Sequence, residues 1–385
     1  MQALEGLRVV DMATLIAGPN AARHLADFGA DVVKVEPPAG DGTRRLGWLH
    51  PDGGDSLFWK LVGRNKRAVV LDLKTDAGRD AMLALLDRSD LLVENLRPGG
   101  LERLGLGPDV LLARNPKLVV LRISGFGQDG PAAGRPGFAT LAEAMSGFAS
   151  LSGEPGGAPL LPPVALTDEV AALVGAFAAM VALHHRDRTG EGQVVDVSLL
   201  ESMLQLMGPL PAAYAQLGYL QPRLGSGIPY SVPRGTYLCA DGAWVAISTS
   251  AESVAARFLD LVGVADDARF ATVDSRIEHR AALDAAVAAW VGARTQTEVL
   301  ASAESVHAAA APVLDMAGVL ADPQVVERES VVDVDGTTMQ APVARLSRTP
   351  GEIRHAGRPL GADTAAVLAE LGIEAERDPS RGASA

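Results

Sequence analysis

The chain has 385 residues, 48% of them hydrophobic, and a formal net charge of -13. This length exceeds what one hydrophobic core usually supports, so we expect two domains. The acidic balance disfavours a general binder of nucleic acid or of an anionic membrane. The single cysteine, Cys239, excludes an internal disulfide framework and is typical of a reducing compartment, which favours a cytoplasmic protein.

The hydropathy pattern predicts neither an export signal nor a membrane span. The first eight residues lack a basic segment followed by a long apolar one. The most apolar stretch, residues 170–183, covers 14 positions without a charge, which is shorter than a bilayer requires.

The first 36 residues follow the pattern strand, helix, strand. Residues 7–11 form a short β-type run, Gly18 and Pro19 open a helical stretch that ends at Gly29, and residues 32–36 form a second buried strand. The pattern is superficially that of a dinucleotide fold. However, Gly18 stands alone, without the glycine spacing that lets a pyrophosphate approach the backbone. A nicotinamide-binding or non-catalytic protein is therefore one alternative.

Further strands alternate with helices along the next 160 residues. Strands are predicted at 68–74, 91–93, 118–123 and 194–197, with a helix at 77–87 between the first two. This alternation predicts a mostly parallel sheet in an α/β fold, with ligands bound at the carboxyl ends of its strands.

Cations cluster before the strand predicted at 68–74. Arg64, Lys66 and Arg67 occupy three of four positions, and Arg44 and Arg45 lie in the preceding glycine-rich loop. Such a basic rim on an acidic protein suits phosphate groups. The alternative is a solvated turn without a ligand.

The second half of the chain predicts a smaller, separate domain. Residues 208–234 are low in charge and rich in Gly and Pro, which indicates a linker after a large domain at 1–207. A hairpin signal at Asp241-Gly242, followed by helical patterns, predicts a small α+β domain at 235–312. Residues 313–375 then return to the large domain, and 376–385 are expected to form a disordered tail.

Residues 160–186 contain the strongest candidate for chemistry. Pro162 and Pro163 favour extended backbone and an Ala-rich run follows, which predicts a helix that begins at Thr167 or Asp168. The first-turn amides and the helix dipole would favour an ionised Asp168, and a poorly hydrated carboxylate can act as a nucleophile. The alternative is an N-cap aspartate that only stabilises its helix.

Taken together, an ordered set of short strings resembles one family, the family III CoA-transferases, which includes formyl-CoA transferase, carnitine CoA-transferase and α-methylacyl-CoA racemase. The resemblance covers nearly the whole chain, and the order of the strings is more specific than any one of them. The strings are GLRVVD at 6–11, AGP at 17–19, GADVVKVE at 29–36, NKR at 65–67, LDLK at 71–74, VEN at 93–95, RPG at 97–99, RLG at 103–105, GFG at 125–127 and TGEGQ at 189–193, with Asp168 and Gly361.

The resemblance implies a Rossmann-like large domain built from both chain ends, a smaller inserted α+β domain and an interlocked homodimer. It implies that Asp168 is a nucleophile that moves CoA from an acyl-CoA to a carboxylic acid through covalent intermediates. No metal and no tightly bound cofactor is expected, since CoA enters as substrate and leaves as product. Residues 225–227, Gly-Ser-Gly, resemble a mobile glycine loop whose amides would stabilise tetrahedral intermediates.

The same comparison assigns residues to a CoA site, which needs cations for phosphates and a groove for the pantetheine chain. The assigned residues are Lys74 and Arg103 at the nucleotide end, Asn95 and Leu96 in the groove wall, Ile16 and Ala17 near the thioester, and Arg44 and Arg67 as further cations.

The chain also departs from the family pattern. Racemases of the family carry an acid/base histidine where this chain has Phe138, whose ring cannot exchange a proton. An acyl-CoA racemase or isomerase on the same scaffold is therefore the less favoured alternative. The pair Phe138-Ala139 also differs from the polar or tyrosine-plus-acid pair seen in many transferases. Pro136 replaces a lysine found in some members, and Pro37 stands where some members bind CoA through arginine. These changes predict an unusually apolar environment for the acyl group.

Overall fold

A computed structural model describes residues 1–249 and 251–374. This part of the chain divides into two compact units. The first comprises Met1–Ser146, Pro162–Met207 and the chain from Gln324 onward, and the second comprises Gly147–Leu161 and Gly208–Pro323. The tail expected to be disordered, 376–385, lies outside the described residues.

The first unit contains a six-stranded sheet in which every pairing is parallel. Its strands are β1 (Arg8–Asp11), β2 (Asp31–Glu36), β3 (Lys66–Val70), β4 (Leu91–Glu94), β5 (Val119–Ser124) and β6 (Val194–Ser198). The strand order is β3-β2-β1-β4-β5-β6. It reverses between β1 and β4, where open α/β sheets form their ligand crevice. The predicted α/β class with a mostly parallel sheet is confirmed.

Helices connect these strands and continue through the second unit. In chain order they are α1 (Ala17–Ala26), α2 (Leu57–Val62), α3 (Asp76–Leu86), α4 (Gly100–Arg103), α5 (Pro108–Arg114), α6 (Ala139–Met145), α7 (Phe148–Leu151), α8 (Leu166–Thr189), α9 (Leu199–Gln205), α10 (Leu210–Leu217), α11 (Glu252–Val262), α12 (Val273–Glu278), α13 (Arg280–Gly292), α14 (Gln296–Ser305), α15 (Met316–Ala321), α16 (Pro323–Glu327) and α17 (Thr364–Glu370), with short 3-10 turns at Gly42–Arg45 and Ala268–Phe270.

The sheet is covered by helices on both faces. On one face, α1 and α8 pack together through small buried residues such as Ala21, Ala172 and Ala176, which let the two helices approach closely. On the other face, α3, α5 and α17 contribute larger side chains, among them Met82 and Val367. This core is typical of an α/β unit whose strands are buried on both sides.

Helix α8 is the longest helix in the described part of the chain. It has 24 residues and ends at Gly190, which has a φ of 80°. By length and composition alone it could cross a membrane, and it is the one helix of the described residues that meets this test. Its alanine face belongs to the core against α1 and the sheet, as expected of a core helix in a globular protein.

The second unit is built on a three-stranded antiparallel sheet, β7 (Arg234–Leu238), β8 (Trp244–Ser248) and β9 (Ala309–Pro312). The turn at Asp241-Gly242 joins β7 to β8, and Gly242 adopts the positive φ of 83° that such a tight turn favours. Helices α11–α14 pack around this sheet and form a separate apolar core. In the first unit, a further hairpin pairs β10 (Val331–Val334) with β11 (Thr337–Gln340).

The unit boundaries differ from those expected from the sequence. Residues 208–234, expected to be a linker, belong to the second unit and contain α10. Residues 147–161 and 313–323, both expected within the large domain, also belong to the second unit. The sequence did not predict α10, because the glycines and prolines that flank Leu210–Leu217 dominate the composition of 208–234.

Candidate active site

The loop after β1 is held in place by Asn95, which follows β4. The amide N–H of Thr14 donates to Asn95 Oδ1 at 2.8 Å, and Asn95 Nδ2 donates to the carbonyl of Thr14 at 2.7 Å. Because β1 and β4 are neighbours where the strand order reverses, these bonds bring Ile16 and Ala17 to the same edge of the sheet as Leu96. Four predicted site residues are thus brought together, and the Asn95 amide fixes the loop that carries two of them.

This loop is conformationally restricted. Leu15 has a φ of 63°, an uncommon value for a residue with a side chain, and its N–H donates to Asp41 Oδ1 at 3.3 Å. A Cβ at Gly18 would lie 2.3 Å from the Cβ of Ala13. Gly18 is therefore required for the close packing of the loop on α1.

A buried ionic cluster supports the loop from below. Lys66 Nζ lies 2.8 Å from Asp11 Oδ2, and Lys34 Nζ lies 3.2 Å from Asp41 Oδ2 and 3.6 Å from Asp11 Oδ1. All four side chains are at most 5% exposed, and burial lowers the pKa of Lys66 to about 8. Arg64 is equally buried. Lys66 and Arg64 therefore belong to the interior, and the sequence was wrong to place them on a basic rim or a solvated turn.

Arg44 and Arg67 are also engaged within the first unit. Arg44 donates twice to Glu36 at 2.7 Å and once to Asp55 at 2.8 Å. Arg67 forms an ion pair with Asp31 at 2.8 Å. The sequence did not predict these pairs, because it does not show which acidic residues the fold brings beside each cation. A role of Arg44 and Arg67 in CoA binding stays a prediction.

Lys74 and Arg103 differ from these paired cations. Both side chains are exposed, and neither forms an ion pair with another described residue. Lys74 lies between β3 and α3, and Arg103 is the last residue of α4, which follows β4. They therefore lie beyond the carboxyl ends of the strands, where α/β sheets bind ligands. Of the predicted phosphate contacts, these two are the cations that remain available.

Asp168 is the third residue of α8, which begins at Leu166 with Ala165 as its N-cap and without a side-chain cap. Asp168 therefore lies in the first turn of the helix, as predicted, and the alternative that it is the N-cap is wrong. Burial, followed by repulsion from Glu143 and Glu169, raises the pKa of Asp168 to about 6. The sequence predicted the opposite effect from the helix amides alone, because it could not show how much water the fold removes or which carboxylates lie nearby. At neutral pH the group is still mostly ionised.

Glu169, next to Asp168, is matched by polar groups of α1. Arg23 Nη2 donates to Glu169 Oε1 at 3.0 Å, Asn20 Nδ2 donates to Glu169 Oε2 at 2.7 Å, and His24 Nε2 lies 2.8 Å from Oε1. Burial alone would raise the pKa of Glu169, but His24 and Arg23 hold it below its ordinary value. These contacts fix the start of α8 to α1. The described residues contain no group of three or more His, Cys, Asp or Glu arranged to hold a metal ion.

Glu143, on α6, is a neighbour of Asp168 that the sequence did not predict. It is 4% exposed, and its Oε1 accepts a hydrogen bond from Thr167 Oγ1 at 2.8 Å. No cation of the described residues forms an ion pair with Glu143 or with Asp168. A signal was present in the sequence, since Glu143 is the one charged residue in the seven of α6.

Phe138 immediately precedes α6 as its N-cap and is 58% exposed. It provides an apolar surface and no acid or base. Ala139 follows as the first residue of α6. Phe138 and Ala139, at the N-terminus of the helix that contains Glu143, are thus both apolar.

The Gly-Ser-Gly loop at 225–227 belongs to the second unit. Arg234 Nη1 donates to the carbonyl of Ser226 at 3.0 Å, and the N–H of Thr236 donates to Ser226 Oγ at 3.0 Å. The loop borders a cavity of about 780 Å³ that is also lined by Phe148 and by residues of β8 and β9. Two hydrogen bonds from β7 therefore fix the position of Ser226 in the loop.

Comparison with known proteins identifies the family. A model of CoA-transferase family III matches residues 4–364. Two relatives from Chloroflexus aurantiacus are a succinyl-CoA–D-citramalate CoA-transferase, 37% identical over 96% of this chain and 94% of its own, and a succinyl-CoA–L-malate CoA-transferase beta subunit, 40% identical over the same shares. A crystal structure of a CAIB/BAIF family protein from Brucella suis superposes with a TM-score of 0.86 and 32% identity, covering 96% of this chain and 99% of that one.

The matched region contains the loop after β1, Asn95, the start of α8 and the whole second unit. The named relatives act on CoA thioesters, and they share more than a third of their residues with this chain. The chain belongs to the family III CoA-transferases and is an acyl-CoA:carboxylate CoA-transferase.

Proposed function

We propose that Asp168 is the nucleophile through which this enzyme transfers CoA. The observation that carries the proposal is a carboxylate at the start of α8 with no cation partner among the described residues, whose pKa is raised to about 6. Such a group is ionised at neutral pH but more basic than an ordinary aspartate, which makes it a better nucleophile.

The reaction then proceeds through reversible acyl transfers. The Asp168 carboxylate attacks the thioester carbonyl, the C–S bond breaks, and CoA leaves as a thiolate from a mixed anhydride. The thiolate attacks the aspartyl carbonyl, which releases the donor acid and gives an aspartyl-CoA thioester. An acceptor carboxylate reverses these steps and leaves as the new acyl-CoA. Each step exchanges one activated acyl group for another, so no bond energy is lost to water.

For the substrates, we propose succinyl-CoA as donor and a short dicarboxylic acid as acceptor. The support is the similarity to relatives named for succinyl-CoA with D-citramalate and with L-malate. CoA itself would bind along the edge described above, with its phosphates near Lys74 and Arg103, its pantetheine chain near Asn95 and Leu96, and its thioester near Ile16 and Ala17.

A trapping experiment tests the nucleophile. The protein is incubated with succinyl-CoA without acceptor, quenched with hydroxylamine, and the peptide containing Asp168 is analysed by mass spectrometry. We expect a hydroxamate on Asp168 in the wild type and none in Asp168→Ala. A modified carboxylate elsewhere, or an active Asp168→Ala variant, would refute the proposed mechanism.

We also propose a homodimer in the cytoplasm, without a bound membrane, nucleic acid, metal or prosthetic group. The support for the dimer is an apolar outer face on α8, where Leu173, Phe177 and Val181 are more than half exposed. Such a face is typical of a protein interface. Light scattering of the purified chain should give twice the monomer mass of 39.9 kDa. A monomer would instead favour assembly with a different subunit, since one relative is named as a beta subunit.

A further inference from the structure

Two glutamates flank the nucleophile, and they differ in their partners. Glu169 is matched by Arg23 and His24. Glu143 is more deeply buried, and its side chain receives a hydrogen bond from Thr167, the residue before Asp168. A buried carboxylate without a cation is costly, because burial removes its hydration and nothing of opposite charge replaces it. The cost at Glu143 therefore calls for a function.

The proposed acylation of Asp168 provides such a function for Glu143. Glu143 accepts a hydrogen bond from Thr167, which directly precedes Asp168, so the two carboxylates are neighbours. Free Asp168 carries a negative charge, whereas acylated Asp168 is neutral. Repulsion between the two carboxylates therefore raises the energy of the free enzyme and vanishes when the covalent bond forms. The interaction differs between the two states of the reaction, as a contribution to catalysis requires.

We propose that Glu143 is a positioning residue for CoA transfer, which uses its buried charge to make the ionised Asp168 carboxylate more reactive towards the thioester. This inference rests on the proposed role of Asp168. In the step concerned, an oxygen of Asp168 bonds to the acyl carbon, the C–S bond breaks, and the negative charge leaves with the CoA sulfur. Thr167 Oγ1 donates a hydrogen bond to Glu143, but the proposed effect depends on the charge of Glu143 and not on this bond.

The other charged residues on the elements around α8 either have polar partners or are exposed to solvent. Repulsion from Glu143 is the largest effect of any charged group on Asp168, and Glu169 is second. The elements packed against α8 are α1, α6, α9, β5 and β6. On α1, Arg23 and His24 contact Glu169. On β5, Arg122 pairs with Glu94 and Glu102, and on β6, Asp196 accepts a hydrogen bond from the N–H of Gln128. On α9, Glu201 is exposed.

A substrate-free measurement tests this charge effect. A water-soluble carbodiimide with an amine labels protonated carboxyl groups, and the label on the Asp168 peptide is followed by mass spectrometry from pH 4 to 8. We expect a labelling midpoint near pH 6 in the wild type. In Glu143→Gln, which keeps the shape and removes the charge, the midpoint should fall by about one pH unit. Glu143→Asp should retain most of the wild-type value.

Thr167→Val is the matched control, because it removes the hydrogen bond to Glu143 and leaves the charge. Its midpoint should not fall towards that of Glu143→Gln. An equal fall in both variants would assign the effect to altered packing and would overturn the inference, as would an unchanged midpoint in Glu143→Gln. Circular dichroism and thermal melting verify that each variant is folded.

The rate of Asp168 acylation by succinyl-CoA provides a second signature. A less basic carboxylate is ionised at lower pH but is a weaker nucleophile. Relative to the wild type, Glu143→Gln should therefore be about five-fold more ionised at pH 5 and react about two- to three-fold more slowly at pH 8. A variant that is slower by the same factor at every pH would show a structural defect only and would contradict the inference.

The two proposals fail separately. If the wild type forms no adduct on Asp168, the proposed nucleophile is refuted, while the labelling midpoints still report whether Glu143 raises the pKa of Asp168. If the adduct forms and the midpoints coincide in the wild type and Glu143→Gln, only the role of Glu143 is refuted.

Discussion

Two groups of charged residues in the first unit differ in how their charges are compensated. Below the β1 loop, Asp11 and Asp41 are matched by Lys34 and Lys66 at distances of 2.8 to 3.6 Å. At the start of α8, Asp168 and its neighbour Glu143 are both acidic, and no cation of the described residues pairs with either. The paired charges of the first group stabilise a single conformation of the β1 loop. In the second group, the ionised form of Asp168 is destabilised.

The difference shows which group can do chemistry. In a matched cluster, each charge is stabilised by its partner, and removing one partner leaves the other buried and alone. In an unmatched cluster, losing a charge is favourable, and covalent modification of a carboxylate is one way to lose it. Substitutions in the matched cluster below the β1 loop should therefore lower stability, and substitutions in the unmatched cluster at the start of α8 should lower activity.

The largest effect is expected from Asp168→Ala. Removing the nucleophile should lower kcat by on the order of 10³-fold or more, because the covalent route is lost. Steady-state transfer from succinyl-CoA to malate or citramalate, followed by product mass, measures this. Retention of the wild-type affinity for CoA by calorimetry would show that the site itself is intact, and a kcat within ten-fold of the wild type would exclude a covalent role.

The matched cluster should respond in stability. Asp11→Asn leaves Lys66 and Lys34 buried with one fewer carboxylate, and it should lower the free energy of unfolding by about 3 to 5 kcal/mol. Urea unfolding followed by circular dichroism measures the change. A control is Asp87→Asn, which removes a surface partner of Arg114 and should change stability by less than about 1 kcal/mol. Equal effects of the two variants would contradict the assignment of Asp11 to a buried cluster.

Removing a charge from the unmatched cluster should raise the stability of the protein, not lower it. Because folding raises the pKa of Asp168 from its ordinary value to about 6, ionisation favours the unfolded chain as pH rises from about 4 through 6. Asp168→Asn removes this cost, which is at most about 3 kcal/mol and, after allowance for partial exposure, about 1 to 2 kcal/mol. The variant should be more stable than the wild type at pH 8 and no more stable at pH 4.

Thermal melting at the two pH values tests this sign. The expected result is a gain in Tm for Asp168→Asn that is absent at pH 4, develops between about pH 4 and pH 6 and is complete at pH 8. A loss of stability at pH 8 would show that the Asp168 carboxylate makes stabilising contacts and would contradict the view that its charge is uncompensated.

The sheet was predictable from the sequence because each strand is a local apolar run and the alternation with helices fixes parallel pairing. The loop at 12–16 shows where this reasoning ends. Gly18 was visible, but its function in close packing against Ala13 depends on how α1 folds back onto the loop. The turn signals likewise predicted the hairpin at Asp241-Gly242, whereas α10 was missed because its flanking glycines and prolines dominated the pattern.

The site was predictable only where a residue type carries the chemistry. Asp168 was visible as an acidic residue before an apolar run, and the family resemblance gave it a role. Its pKa was predicted in the wrong direction, because desolvation and the proximity of Glu143, 25 positions away in sequence, arise from the tertiary structure. The pairing of Arg44 with Glu36 is hidden for the same reason.

The smallest effect is expected from the exposed cations. Lys74→Ala and Arg103→Ala should each raise KM for the acyl-CoA about ten-fold with little change in kcat or in stability, because each loses a contact to phosphate made in all states of the reaction. The matched control is Lys117→Ala, since Lys117 is also exposed but lies before β5, at the opposite edge of the sheet. Its KM should stay within two-fold of the wild type. An effect of Lys117→Ala as large as that of Lys74→Ala would reflect general attraction of an anionic substrate, and the effect would then decrease with added salt equally in all three variants.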